Sequence, residues 1–397
     1  MATAGTTTTT SKVAYLDGIR GAAAFGVYLH HFCLIFFTAF FTFDVKASLV
    51  GGLDNRYGHS VFSFLTNGHF FVCIFFVLSG YVLSRKYFHD NKLETLISAA
   101  QRRYIRLFVP VGIALILSYV LLKCGLYGNK KVADMTNSQW WFGGMWNGVT
   151  YPTRALFESF FFNTMLNGDG RLDTTLWTLS VELMGSYFVF AFLMFTHNTR
   201  NRGFSLAMVM LACYATSHFH TLDFLLGIAL NYSEKSIDYK KMPFVRRIGV
   251  VVMLVVACVL GSMPTTFLFE GTLFERLTFI FGEHNRQFAH PIGGFLLVYA
   301  FTLSPGLQKI GSLGIFRFLG RISFSLYVLH PLVFGTATCW IFTHVRSGPA
   351  YLQAVTITFI GTTVVLIGIS YLYTKYIDDF GIALASKYYN RFCKKAN

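Results

Sequence analysis

Ten stretches of this chain, near 19–43, 66–84, 104–124, 176–196, 204–216, 220–232, 248–264, 289–304, 322–343 and 352–375, are predominantly apolar, and most are about 20 residues long. A helix of that length crosses the ~30 Å hydrocarbon core of a bilayer, and helices and closed barrels are the structures that satisfy every backbone polar group in lipid. The pattern predicts an all-α polytopic membrane protein, a bundle of about ten transmembrane helices. The fifth and sixth runs are short, which fits a tight antiparallel pair or partly re-entrant segments.

Composition agrees with this. Of 397 residues, 54% are hydrophobic and 13% charged, against about 25% charged in a soluble domain. A soluble enzyme and a disordered chain are both excluded. The net charge of +15 raises nucleic acid as a partner, but no basic stripe runs along a polar domain, so none is expected. Seven cysteines form no paired spacing, and most sit in apolar runs; free buried thiols and no metal site are expected.

The threonine-rich start lacks a cleavable signal, so 1–12 is expected to be a flexible tail, 13–376 one membrane domain and 377–397 a cytosolic tail. With a cytosolic N-terminus and ten spans, the cytosolic segments hold 22 Lys and Arg and the opposite segments nine. Retained cytoplasmic loops carry the excess, so both termini are expected in the cytosol. The long loop from about 125 to 175 falls on the other side and is rich in aromatics, including Trp140, Trp141 and Trp146. Lying at the membrane interface is favoured for it over capping a cavity.

Ionisable residues inside a span are costly and point to function. The first span opens at Asp17, carries Arg20 and reaches His30 and His31. Eleven residues at 100° each make three turns plus 20°, so Arg20 and His31 share a helix face, ~16 Å apart along the axis. Asp17 belongs with them, whereas His30 points about 100° away from His31. Leu176-Trp177-Thr178-Leu179-Ser180-Val181-Glu182 brings a carboxylate and hydroxyls into an apolar helix; such a carboxylate orients a histidine or pairs with an arginine. The run from Ser323 to Pro331 places His330 before a proline, which frees a carbonyl that Ser323 or Tyr327 is placed to satisfy. Ser79 ends span two, and Arg103 and Arg106, at i,i+3 spacing on one face, suit a phosphate clamp as well as they suit topology.

Taken in order, LDGIRGAAAFGVYLHHF at 16–32, FFVLSGYVLSRKY at 75–87, RRYIRLFVP at 102–110, LWTLSVELMGSY at 176–187 and FLGRISFSLYVLHPLV at 318–333 resemble the acyltransferase-3 family of integral membrane acyltransferases. Departures are Tyr81, where the family often has Phe, and Leu183-Met184, where it is usually more polar. The chain is also expected to lack the additional hydrolase-like domain of some bacterial members.

The resemblance implies transfer of an acyl group, acetyl foremost, from acyl-CoA to a hydroxyl of a glycan, lipid or small molecule. No permanently bound cofactor is implied. Arg20 and His31 match the family's arginine-to-histidine pair, and Arg103 and Arg106 its arginine pair for CoA phosphates. His31 is then the general base or a nucleophile carrying the acyl group, with His30 as its challenger. Glu182 supports the histidine; Ser79, Trp177, His330 and Asp17 line the substrate site. A proton-coupled transporter or channel uses similar intramembrane residues and is the alternative.

The terminal Lys394-Lys395-Ala396-Asn397 looks like an endoplasmic reticulum retrieval signal read from the cytosol. The sequon Asn231-Tyr232-Ser233 falls on the expected cytosolic side, so no glycan is expected there.

Overall fold

The computed structural model describes residues 13–147, 152–236, 243–264, 274–275, 286–346, 348 and 350–393. Residues 1–12 and 394–397, and with them the expected tail and retrieval signal, lie outside the described residues. Among those described there is no strand.

Each of the ten apolar runs is a helix. They are α1 (Ala14–Phe36), α2 (Gly68–Asp90), α3 (Leu93–Lys123), α4 (Trp177–Phe195), α5 (Arg202–Ala215), α6 (Phe219–Ser236), α7 (Pro243–Gly261), α8 (Ala289–Leu303), α9 (Gly314–Val333) and α10 (Tyr351–Tyr373). Seven, namely α1 to α4, α7, α9 with its extension to Val345, and α10, are long and apolar enough to cross a membrane. Helices α5 and α8, of 14 and 15 residues, reach only ~21–23 Å at 1.5 Å per residue. Helix α6 carries His220, Asp223 and Asn231 along an otherwise apolar length.

Two boundaries differ from expectation for a clear reason. Helix α3 starts at Leu93, eleven residues before the apolar run, because polar residues end hydrophobicity without ending a helix. Arg103 and Arg106 therefore sit inside a continuous helix. The stretch after 376, expected as a tail, is also helical: a π-helical turn over Thr374–Asp378 leads into α11 (Asp379–Tyr388). There Gly381 lets the helix close on Val109 and Pro110 of α3.

Small residues set the helix contacts that matter for function, as is usual where lipid removes the hydrophobic drive between helices. Gly18 and Gly21 of α1 abut Gly311 and Gly320; a Cβ on Gly320 would lie 2.1 Å from the Asp17 carbonyl oxygen. Further along, the Phe36 and Phe342 rings are 4.9 Å apart, so α1 and α9 run parallel. Helices α2 and α6 are parallel too, with His69 beside His220 at one end and the Asn231 amide on Ser84 at the other, and they cross closely where Gly80 meets the Phe224 carbonyl and Gly227 that of Val77. Helix α10 is antiparallel to α1, since Tyr28 bonds Thr363 while Tyr351 bonds the Phe36 carbonyl. Asn231, of the sequon, is buried and its amide donates to the Tyr81 carbonyl and the Ser84 hydroxyl at 2.8 Å each.

Candidate active site

Pro331 lies within the helical run of α9 and has no amide hydrogen, so the Tyr327 carbonyl four residues back loses its helical donor. His330 replaces it: its Nδ1 donates to Tyr327 O at 2.7 Å. Of the two side chains expected to satisfy that carbonyl, Ser323 instead donates to Gly320 O at 2.9 Å and the Tyr327 hydroxyl pairs with Thr178 at 2.7 Å. A carbonyl can only accept, so neutral His330 carries its proton on Nδ1 and its lone pair on Nε2. That Nε2 lies 2.8 Å from His31 Nδ1. By complementarity His31 donates from Nδ1, and its Nε2 is left with a lone pair.

His31 and His330 meet because the Gly21–Gly320 contact brings the backbones of α1 and α9 together along parallel axes. His330 is fully buried. The Trp141 ring stacks on His31 with centroids 5.2 Å apart and planes 2° from parallel. The aromatic loop therefore covers the histidine, a capping role that ranked second on sequence alone. A π-helical turn follows at Phe334–Thr338, of the kind that collects at functional sites.

His31 opens onto a cavity of about 300 Å³ whose walls include His30, Phe40, Phe41, Asn67, His69 and Trp177. His30 reaches it from the neighbouring face of α1, and its Nδ1 is 2.8 Å from the Thr66 carbonyl. Only glycine fits at 68, where a Cβ would lie 2.4 Å from the His30 ring.

A second polar cluster lies further along the bundle, toward the N-terminal end of α1. Glu182 of α4 forms an ion pair with Arg103 of α3 and accepts from the Ser79 hydroxyl at 2.9 and 3.1 Å. Arg103 Nε also donates to Ser186 Oγ at 2.9 Å. Glu182 thus takes the arginine-pairing role of the two weighed from sequence, and the imidazole's partner is His330. Arg20 pairs with Asp17 at 3.2 Å. Arg106 is exposed, makes no hydrogen bond or ion pair among the described residues, and lies in the electrostatic field of Arg20 and Arg103. Three guanidinium groups here face two carboxylates, which leaves a net positive site.

The structure therefore divides the candidates into two sets. His30, His31, His330 and Trp177 gather at the cavity; Asp17, Arg20, Ser79, Arg103, Arg106 and Glu182 gather at the cationic cluster. Arg20 and His31 share a stripe of α1 but serve different sets. Sequence reasoning missed Trp141 as a partner of His31 and His69 as a cavity wall; the four-residue step from His69 to Cys73 was the available signal.

Comparison with known proteins agrees with the five motifs. Residues 13–375 match the acyltransferase domain of the acyltransferase-3 family. The chain is 29% identical over 365 residues to the O-acetyltransferase PaAT-1 of Phomopsis amygdali, a match covering 81% of this chain and 72% of that protein. No solved structure matches. With the motifs, the helical membrane architecture and the family match in agreement, the chain belongs to the acyltransferase-3 family of integral membrane acyltransferases.

Proposed function

We propose that this membrane O-acyltransferase takes an acyl group, acetyl foremost, from acyl-CoA and places it on an acceptor hydroxyl, with His31 Nε2 as the general base. The observation that carries the reading is the Tyr327 O–His330–His31 relay, which holds the His31 ring with a free lone pair at the cavity. The acceptor hydroxyl gives its proton to Nε2 as its oxygen attacks the thioester carbon. Collapse of the tetrahedral adduct breaks the carbon–sulfur bond, and the CoA thiolate recovers the proton from His31. His330 supplies a dipole rather than a charge, so it orients the base without neutralising the imidazolium.

The donor's phosphates are assigned to Arg106 and Arg20, with Arg103 engaged by Glu182 and positioning the cluster. The ~16 Å along α1 between Arg20 and His31 is spanned by the pantetheine arm. Donor and acceptor then arrive from opposite ends of the bundle. Ten alternating spans are supported by the parallel pairing of α1 with α9 and of α2 with α6, because helices an even number of steps apart in an alternating bundle run the same way. The excess of Lys and Arg in the segments on the side of the N-terminus supports placing both termini in the cytosol. The family match to an acyltransferase domain supports an enzyme over the proton-coupled carrier. The test is acyl transfer from labelled acyl-CoA by the purified chain in nanodiscs with a panel of hydroxyl acceptors. Turnover by the wild type and its loss in His31→Ala are expected; no turnover with any acceptor contradicts the reading.

A further inference from the structure

Behind the cavity wall, α2 and α6 each present two ligand-type side chains one turn apart: His69 and Cys73 on α2, His220 and Asp223 on α6. One donor atom from each of His69, Cys73 and His220 falls within 4.8 Å of the others. About two turns along α2, the Gly80 and Gly227 contacts hold the two helices backbone to backbone, which fixes these pairs in register.

The electrostatics of this cluster are incomplete as it stands. Asp223 is fully buried, its Oδ1 has no hydrogen-bond partner in the hydrogen-bond geometry of the described residues, and the Cys73 thiol is the neighbouring group that interacts with its carboxyl. Its other oxygen sits 3.5 Å from His220 Nδ1. A buried carboxylate without compensation is strongly unfavourable. One divalent cation beside it, with the Cys73 sulfur as thiolate, brings the local charge to zero.

The neighbouring hydrogen bonds also prepare the imidazoles. The Met263 carbonyl at 2.8 Å is a closer contact of His290 Nε2 than the Asn67 amide nitrogen at 3.2 Å and makes Nε2 the donor, so His290 Nδ1 accepts from His69 Nδ1 at 2.7 Å. That His69 nitrogen also lies 3.7 Å from Cys73 Sγ, and the lone pair of the ring is on its Nε2. Asp223 faces His220 Nδ1 and leaves Nε2 of that ring free in the same way. Carboxylate or backbone oxygen acting through the far nitrogen is how metal-ligating histidines are held.

We propose that His69, Cys73 and His220 bind one zinc-class divalent ion, with Asp223 supplying the neutralising charge beside His220. Two imidazoles and a thiolate are the ligand set for a borderline-soft tetrahedral ion. Ligand atoms around such an ion lie ~3.3–3.8 Å apart, so the three side chains draw in by up to about 1 Å on binding. Binding releases the Cys73 thiol proton. The bound ion ties α2 to α6 at the wall that His69 shares with the cavity. The sequence, from which no metal site is expected, does not display this cluster because its two halves, H-x3-C and H-x2-D, lie about 150 residues apart in the chain.

The test reads metal directly and is independent of acyl transfer. The full chain, purified in detergent, is stripped with a chelator, exposed to Zn2+ and assayed by elemental mass spectrometry. The wild type should hold about one ion per chain, and Cys73→Ser and His220→Ala, each eluting as a monodisperse species, at least about tenfold less. With Co2+ in place of Zn2+, the wild type should show a thiolate-to-cobalt charge-transfer band that Cys73→Ser lacks. Should a variant fail to fold, the wild type alone decides: stripping should lower its Tm, and Zn2+ but not Mg2+ should restore it. A wild type that stays empty at saturating free Zn2+, or a folded Cys73→Ser, His220→Ala double variant that binds as much as the wild type, overturns the proposal.

Discussion

His31 Nδ1 lies 2.8 Å from His330 Nε2, and the direction of that hydrogen bond is set by a carbonyl that Pro331 leaves without its helical donor. The proline therefore helps to orient the proposed base, acting through Tyr327 O and the tautomer of His330. Replacing His330 with alanine frees the His31 ring to rotate and to move its proton. The expected loss in kcat is about 10²-fold, in the range for a misoriented general base, with KM for acyl-CoA little changed. Steady-state kinetics on the two variants His330→Ala and His330→Gln separate lost orientation from lost packing, since glutamine's side-chain oxygen can still accept.

Pro331→Ala returns an amide donor to α9, which competes with His330 for the Tyr327 carbonyl. Stability should rise, because a helix-interior proline costs about 3 kcal/mol, while kcat should fall by about tenfold as the His330 tautomer loosens. A thermal melt and a kcat measurement on the same preparation check the opposite signs.

At the second cluster, Arg103 and Glu182 neutralise one another inside the bundle. Removing either alone leaves an uncompensated charge and should destabilise by about 3–5 kcal/mol, whereas a paired apolar replacement, Arg103→Met with Glu182→Leu, should recover much of that loss. Arg106→Ala, which breaks no ion pair, should leave the Tm near the wild type and raise KM for acyl-CoA. Thermal unfolding and donor titrations on the four variants distinguish a structural pair from a donor-binding group.

Asp173, in the loop before α4, is fully buried, and burial raises its carboxyl to about 7 against the opposing hydrogen bonds from Thr175. An unfolded aspartate titrates near 3.9. Between those values the folded state holds the extra proton, so stability falls as pH rises from about 4 to 7 and is level above that. Asp173→Asn should flatten this slope, because the amide oxygen still accepts from Thr175 and has no charge to bury. Melting temperatures across that window for both forms make the comparison.

Much of the helical architecture was legible, since all ten apolar runs are helices, and their periodicity singled out the Arg20–His31 stripe. Helix ends were less so: Leu93 begins a helix in polar sequence, and residues after 376 continue one. The partners of His31 and Glu182 were illegible for a different reason. His330 is 299 residues from His31, and their meeting depends on how closely Gly21 and Gly320 let two helices approach. Helical period assigns a residue to a face, but the neighbouring helix decides what that face meets.

The central claim, that His31 is the base of an acyl-CoA-dependent transfer, is tested most directly by turnover of labelled acyl-CoA on a hydroxyl acceptor by the purified chain. His31→Ala should lose at least about 10³-fold in kcat, and His30→Ala, which removes a cavity wall and not the base, should keep at least about a tenth of it. Activity retained in His31→Ala and lost in His30→Ala would contradict the account.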